Sequence, residues 1–214
     1  AVTLTNDTLD EDDETLSLTL GTPSGAVLGT PTVHTLTITD NDNAPTVQLS
    51  SAAQTVSEGN TASSFTVNVS AASGKPITVP YTVSGTSNGS DHNLVSGQII
   101  INAGLTTGTV NFNLLDDSVY EGNETLIITL GNPVNAGLGA TTVRTVTIQD
   151  GEAVPTIAFS AATQGVQENV ATVTATVALS HASVSNISVP YMISGTSTSG
   201  SDHNGSNGTF TINA

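Results

Sequence analysis

Through much of its length the chain alternates apolar and polar residues with a period of two. Phe65, Val67 and Val69 alternate with Thr66, Asn68 and Ser70, and Val110, Phe112 and Leu114 with Asn111 and Asn113. Leu126, Ile128 and Leu130 share one face, as do Leu16, Leu18 and Leu20, and Val173, Ala175, Val177 and Leu179 repeat the pattern. Alternation of this kind puts one face of a strand in a core and the other in water. No stretch carries a 3.6-residue period. The runs are short and bounded by Gly, Asn, Ser and Pro, which predicts strands near 46–56, 63–70, 77–84, 97–102, 108–115, 124–131 and 141–149. About seven such strands make an all-β unit, an antiparallel β-sandwich of immunoglobulin-like size.

The pattern also repeats at long range. Thr15-Leu-Ser-Leu-Thr-Leu-Gly21 returns as Thr125-Leu-Ile-Ile-Thr-Leu-Gly131, and Pro45-Thr-Val-Gln-Leu-Ser50 as Pro155-Thr-Ile-Ala-Phe-Ser160. Val79-Pro-Tyr-Thr-Val-Ser-Gly-Thr-Ser87 returns as Val189-Pro-Tyr-Met-Ile-Ser-Gly-Thr-Ser197. The chain therefore reads as tandem sandwiches of about 110 residues each. Residues 1–44 match the C-terminal part of a unit, 45–154 a complete unit, and 155–214 the N-terminal part of another. Residue 1 aligns with Asn111 and residue 214 with Ala103, so the two flanking parts are complementary. Two arrangements are expected. The chain is a window on a longer array, or residues 155–214 of one copy complete a sandwich with residues 1–44 of the next, head to tail.

Composition sharpens this reading in one respect. Aromatics make up only 3% of the chain and Trp is absent, so each core is thin and built from Val, Ile and Leu. Two basic residues face eighteen acids, for a net charge of −16. Such a chain repels nucleic acid and anionic membranes, and neither is an expected partner. No apolar run approaches the roughly 20 residues that cross a bilayer, so no membrane insertion is expected. Cysteine is absent, which rules out disulfides and thiolate–metal sites.

The acids follow the repeat. Asp7, Glu11, Glu14, Asp40 and Asp42 occupy one set of equivalent positions; Glu58, Asp91, Asp116, Asp117, Glu121, Glu124, Asp150 and Glu152 a second; Glu168 and Asp202 a third. Asp10, Asp12 and Asp13 lie in one of the same loops. Alternate loops of an antiparallel sandwich emerge at the same end. In the complete unit the first, third and fifth loops and the end of the last strand carry all eight acids. The second, fourth and sixth loops (Gly74-Lys75-Pro76, Ala103-Gly104-Leu105 and Asn132 to Gly137) carry none. Eight carboxylates are thus expected to converge at one pole. A solubilising surface spreads its charge, whereas a converged set calls for a counter-ion. The oxygen-only donors suit Ca²⁺, which takes 6–8 oxygens, better than Mg²⁺, which keeps its waters. Paired carboxylates also serve glycosidases, but no cleft-forming aromatics accompany these. No Ser/His/Asp elbow, phosphate-cradling loop or zinc spacing is present, and no enzymatic activity is expected.

At four places the chain resembles the Calx-β repeat family, in the family's order: Val56-Ser-Glu-Gly-Asn60, Gly89-Ser-Asp-His-Asn93, the Asp116–Glu124 loop and Thr147-Ile-Gln-Asp150. The resemblance implies β-sandwiches that bind Ca²⁺ at one end, as found in sodium–calcium exchangers, integrin β4 and large extracellular bacterial proteins. It implies ligand roles for Glu58, Asp91, Asp116, Asp117, Glu121, Glu124 and Asp150 and, by repeat equivalence, for the acids of the flanking units. There are departures. Asp91-His92 and Asp202-His203 replace the family's Asp-Tyr, Asn6 replaces an aspartate, and the closing acids are reduced to Asp40-Asn-Asp42 and Asp150-Gly-Glu152. Fewer charges imply fewer ions or weaker binding. His92 and His203 read as strand-edge or packing residues, and His34 and His181 as solvated. Asn41-Asp-Asn-Ala-Pro45 resembles a cadherin linker, but its counterpart at 150–155 loses the match. The expected role is an extracellular or cell-surface Ca²⁺-binding rod, filament or adhesin stalk that contacts neighbouring repeats or copies of itself. A Ca²⁺ sensor module and an accessory module of a secreted hydrolase are the alternatives.

Overall fold

The structure is a computed structural model that describes residues 1–59 and 61–214. Among these the chain is all β, with no helix. In order, the strands are β1 (Glu14–Thr19), β2 (Val33–Ile38), β3 (Thr46–Leu49), β4 (Ala53–Ser57), β5 (Thr61–Val69), β6 (Ile77–Gly85), β7 (Gly97–Ile101), β8 (Thr107–Leu114) and β9 (Val119–Tyr120). They continue as β10 (Glu124–Leu130), β11 (Gly137–Leu138), β12 (Val143–Gln149), β13 (Ile157–Phe159), β14 (Val177–Leu179), β15 (Ala182–Ser183), β16 (Ile187–Tyr191) and β17 (Gly208–Ile212).

The central unit is a sandwich of a four-stranded sheet, ordered β11-β3-β5-β8, and a five-stranded sheet, ordered β4-β12-β10-β6-β7. The period-two residues meet between the two sheets. Val47, Leu49, Phe65, Val67, Phe112 and Leu114 come from one, and Ile77, Val79, Ile101, Leu126, Ile128, Val146 and Ile148 from the other. All are buried, and Phe65 meets Tyr81 edge-on with ring centroids 5.1 Å apart. This edge-to-face pair and Phe112 supply the core's aromatic rings, and the rest of the cluster is mostly aliphatic.

The predicted strand at 46–56 divides. β3 lies in one sheet and β4 in the other, because the chain crosses between them at Ser50–Ala52. The crossing sets β4 parallel to β12, with Val146 opposite Gln54, and β3 parallel to β11, so the sandwich is not wholly antiparallel. The strand expected from Val173 shortens to Val177–Leu179. β5, its counterpart, is held along its length by β8, whereas β14 pairs only with the three residues of β13.

Successive units touch at matching places. Asp10 bridges to Ser73 in parallel orientation, and one repeat later Val119 and Tyr120 pair in parallel with Ala182 and Ser183. In each case the loop before an acidic strand end meets the second loop of the following sandwich. The first contact is ionic: Lys75 Nζ lies 2.8 Å from Asp10 Oδ1 and 3.8 Å from Asp12. The second has Ser185 where Lys75 stood. It is supplemented by His181, whose Nε2 lies 2.6 Å from the Ala153 carbonyl and whose Nδ1 is 2.9 Å from Ser180 Oγ. His181 is half-buried in this contact rather than solvated as expected.

The repeated Ser-Gly-Thr-Ser motif has a geometric cause. At the end of β6, Thr86 and Ser87 latch onto Thr125, with Thr86 N–H donating to the Thr125 carbonyl at 2.9 Å and Thr125 N–H to Thr86 Oγ1 at 2.9 Å. Gly85 permits the approach at φ +128°, and a Cβ there would lie 2.0 Å from the Thr125 oxygen. Gly85→Ala is expected to destabilise the unit by about 3 kcal/mol, from backbone strain plus displacement of β10. Denaturant unfolding against Gly89→Ala, a site with open space around it, measures the difference.

Candidate metal centre

Each acid of the central unit is delivered by a strand end. Glu58 follows β4, Asp91 lies between β6 and β7, and Asp116, Asp117 and Glu121 lie between β8 and β10. Glu124 opens β10, and Asp150 and Glu152 follow β12. Seven of the eight form three overlapping groups, each with carboxylate oxygens within 4.8 Å of one another: Glu58, Asp117 and Glu121; Glu58, Asp150 and Glu152; Asp91, Glu121 and Glu124. Asp116 stands beside them, its Oδ1 3.5 Å from where a Cβ on Gly151 would sit. Asn60, the last residue of the Val56–Asn60 motif, lies outside the described residues.

Two aspartates are fixed by backbone donors. Asp150 Oδ2 accepts from the N–H groups of Glu121 at 2.9 Å and Gly122 at 2.6 Å, and its Oδ1 from Glu152 N–H at 3.0 Å. Burial alone would raise its pKa, but the N–H groups of Glu152, Gly122 and Glu121 outweigh that and hold it below the ordinary aspartate value. Asp91 is 1% exposed. Its Oδ2 accepts from Asn88 N–H at 2.6 Å, while its Oδ1 is buried without a hydrogen-bond partner. Glu152 Oε2 is orphaned in the same way.

The glutamates carry the electrostatic cost. Glu121 and Glu124 are both pushed from 4.5 up to about 7, first by burial and then by the Asp91 carboxylate close beside them. Glu58 is raised by burial and then by Asp150, Asp117 and Asp91. Carboxylates this close cannot all stay ionised alone. They must take up protons or a cation. A set made only of oxygens, with buried orphan oxygens pointing into it, fits a hard dication of the Ca²⁺ class.

The first unit repeats this arrangement on a smaller scale. Asp40 Oδ2 accepts from Glu11 N–H at 3.1 Å and its Oδ1 from Asp42 N–H at 3.4 Å, the bonds Asp150 makes one repeat later. Asp7, Glu11, Glu14, Asp40 and Asp42 line one small cavity of about 60 Å³. Glu11 is raised by burial and by the four other acids. In the third unit Glu168 and Asp202 are exposed, and among the described residues no group of three ligating side chains forms around them. Asp202 Oδ2 nonetheless accepts from Thr198 N–H at 2.6 Å, in the manner of Asp91.

Two features of the pole escaped the sequence reading. Asp13, outside the expected set, accepts from Asp40 N–H at 3.0 Å, and Asp10 turns away from the cluster to Lys75. Only the single lysine in the second loop hinted at the latter. His92 packs as expected. It is 6% exposed, its Nδ1 accepts from Leu94 N–H at 3.2 Å, and burial lowers its pKa, so it stays neutral.

Comparison with known proteins gives a consistent set of matches. The family model of the Calx-beta domain matches residues 1–42, 40–152 and 150–214. No curated protein matches the chain. Among solved structures, the apo form of the Calx CBD1 domain is 24% identical over 51% of this chain and 100% of its own, with a TM-score of 0.48. CBD12 from CALX1.2 is 22% identical over 78% of this chain and 69% of its own, at 0.47. A two-domain protein of unknown function from Bacteroides fragilis is 14% identical over 55% and 54%, at 0.39. With three successive family matches that together span it from end to end, the chain belongs to the Calx-beta domain family, as a tandem of its units.

Proposed function

We propose that this chain is a Ca²⁺-binding structural array, in which cations held at the acidic pole of each sandwich stiffen the junction with the next. The observation that carries the reading is the set of three overlapping carboxylate groups, with Asp91 Oδ1 and Glu152 Oε2 buried and unbonded among them. Glu58, Asp91, Asp117, Glu121, Glu124, Asp150 and Glu152 would hold the ions, with Asp116 beside them. Asp7, Glu11, Glu14, Asp40 and Asp42 would form a second, smaller site. Bound Ca²⁺ cancels the repulsion that otherwise opposes the fold, so affinity appears as stability. A solved relative described as a calcium binding domain supports the choice of ion.

The placement of these sites supports a mechanical role. The loop that carries Glu11 also meets Lys75 of the next sandwich, and the Asp116–Glu124 loop pairs with Ala182 and Ser183. Ordering such a loop orders the joint. The role would be that of an extracellular or cell-surface rod, filament or stalk with no enzymatic activity. Its partners would be neighbouring repeats or other copies. Positions buried in the central core are open in the third unit: Tyr81 is 8% exposed but its counterpart Tyr191 is 40%, and Leu49 is 2% but Phe159 is 64%. Strands equivalent to 1–44, from an adjoining repeat or a second copy, would cover them. Size-exclusion chromatography in Ca²⁺ and in chelator separates the two: concentration-dependent, Ca²⁺-dependent assembly indicates a second copy.

Thermal melting is the direct test of the ion. Ca²⁺ at about 100 times its Kd is expected to raise the Tm of a sandwich by roughly 10–15 °C per site, Mg²⁺ by much less, and EDTA to reverse the gain. Equal effects of Ca²⁺ and Mg²⁺, or none, would refute the assignment.

The raised glutamates fix the pH dependence. Protons and Ca²⁺ compete for Glu121 and Glu124, whose folded value of about 7 lies above the unfolded 4.5. Without metal, these two groups therefore favour the folded state at low pH, and that contribution is lost as pH rises from 4.5 through about 7. Ca²⁺ affinity is expected to move the opposite way, weaker by about 100-fold or more at pH ~5.5 than at pH ~8, with protons released on binding. Calorimetry in buffers of different ionisation enthalpy counts those protons.

Scattering tests the joint. Ca²⁺ is expected to narrow the distribution of interdomain geometries, and Lys75→Ala to widen it at the first joint in chelator while leaving the Tm of the central sandwich unchanged. A graded change of mean shape across the titration would instead mark a sensor.

A further inference from the structure

The chain has a single arginine, and it points the wrong way for a surface charge. Arg144 lies in β12 in phase with the core residues Val146 and Ile148, opposite Ile128 of β10. It is 7% exposed. Eighteen acids are available, yet none pairs with it: among the described residues every salt bridge belongs to Lys75. Its one side-chain hydrogen bond is from Nη2 to Gln54 Oε1, and its Nε is buried with no partner. A guanidinium keeps its charge at any physiological pH, and burying it without an opposite charge is costly.

Arg144 does not sit in solid core. It lines a cleft of about 490 Å³ where the chain crosses from β3 to β4, together with Ser50, Ser51, Gln54, Ser63 and Ser64. Apart from Arg144 the lining carries no charge, and it is dominated by hydroxyl and amide groups. The acidic pole lies off to one side: six residues of extended strand, roughly 20 Å, separate Arg144 from Asp150, and four, roughly 13 Å, separate Gln54 from Glu58. At physiological ionic strength both spans exceed one Debye length of about 8 Å, so an anion can enter despite the net charge.

The flanking units preserve the two positions only singly. Gln164 stands where Gln54 stands, and it lines a cleft of about 410 Å³ with Ser160 and Thr174. His34, opposite Leu18 in the β1–β2 pair, stands where Arg144 does opposite Ile128. Each flanking unit thus keeps one of the two positions, a histidine in the first and a glutamine in the third, and only the central unit has a cation and a glutamine together.

We propose that this cleft is a binding site for a small carboxylate, with Arg144 as its anchor and the surrounding hydroxyls receiving the rest of the molecule. A guanidinium presents parallel N–H donors that match a carboxylate, and Arg144 keeps Nη1 and the second N–H of Nη2 for a ligand beside its bond to Gln54. The volume exceeds that of a halide ion several-fold, and the hydroxyl lining suits a hydroxylated acid. A free organic acid and a uronic acid of a polysaccharide share this chemistry.

Because Arg144 is the only arginine, its Nε–H gives one assignable resonance in ¹⁵N-labelled full-length chain without any substitution. Titration with acetate and with glucuronate, at constant ionic strength and saturating Ca²⁺, is expected to shift that resonance and saturate with a Kd of about 1–10 mM. Glucose and sodium chloride should leave it in place. A short uronate oligomer that binds more tightly than glucuronate would identify a glycan as the source, and equal binding a free acid. Both acids are also expected to raise Tm in the parent protein and to lose that effect in Arg144→Gln. If that variant fails to fold, the resonance of the unsubstituted chain still decides. No shift with either acid, or an equal shift with chloride or glucose, would overturn the proposal.

Discussion

Mutual repulsion of carboxylates is the constraint on which the rest of this structure depends. Seven acids of the central sandwich share three groups, each with carboxylate oxygens within 4.8 Å of one another. Asp91 is pinned by Asn88 and Asp150 by Glu121, Gly122 and Glu152, so the charge cannot relax into solvent. Protonation of Glu121 and Glu124 is one way out, and a cation is the other. Strand order, loop length and the Thr86–Thr125 latch all serve to hold that unfavourable arrangement in place.

The sandwich can hold it because its core is dry and regular. Aliphatic residues from both sheets fill the centre, so the strand ends emerge at fixed positions. The acids sit on those ends rather than on long free loops. Charge repulsion at the pole is therefore transmitted to the contacts just beyond it, where one unit meets the next.

Much of this was legible in the sequence, and the exceptions have physical causes. Alternation located β5, β6, β7, β8, β10 and β12 closely, because each buries one full face. It missed the division of 46–56 although Val56 is out of phase with Val47 and Leu49, because the Ser50–Gln54 segment between them has no large apolar residue to mark the change of sheet. It overextended the strand at Val173, because alternation records the capacity to pair and not the presence of a partner. β9 and β15 went unseen because two residues carry no periodicity, and their pairing belongs to the joint between units. The convergence of acids followed from counting strands. Asp10 could not be told from its neighbours in a loop of five acids, since its different role depends on a lysine 65 positions away. Arg144 was in plain view, in phase with Val146 and Ile148, but a lone arginine in a strand reads as an outward residue until its burial is known.

The two joints are built on one plan with different chemistry, ionic at Lys75 and neutral at Ser183. Each sets a tail of one sandwich against the head of the next, so the assembly has a direction and cannot be read backwards. Salt weakens an ion pair more than a neutral backbone pairing. With its side chains only 21% and 8% exposed, the Lys75–Asp10 pair is screened less than a surface ion pair, so salt would soften the first joint only in part. One joint thus answers to the salt around it and the other does not, although the two follow at the spacing of the repeat.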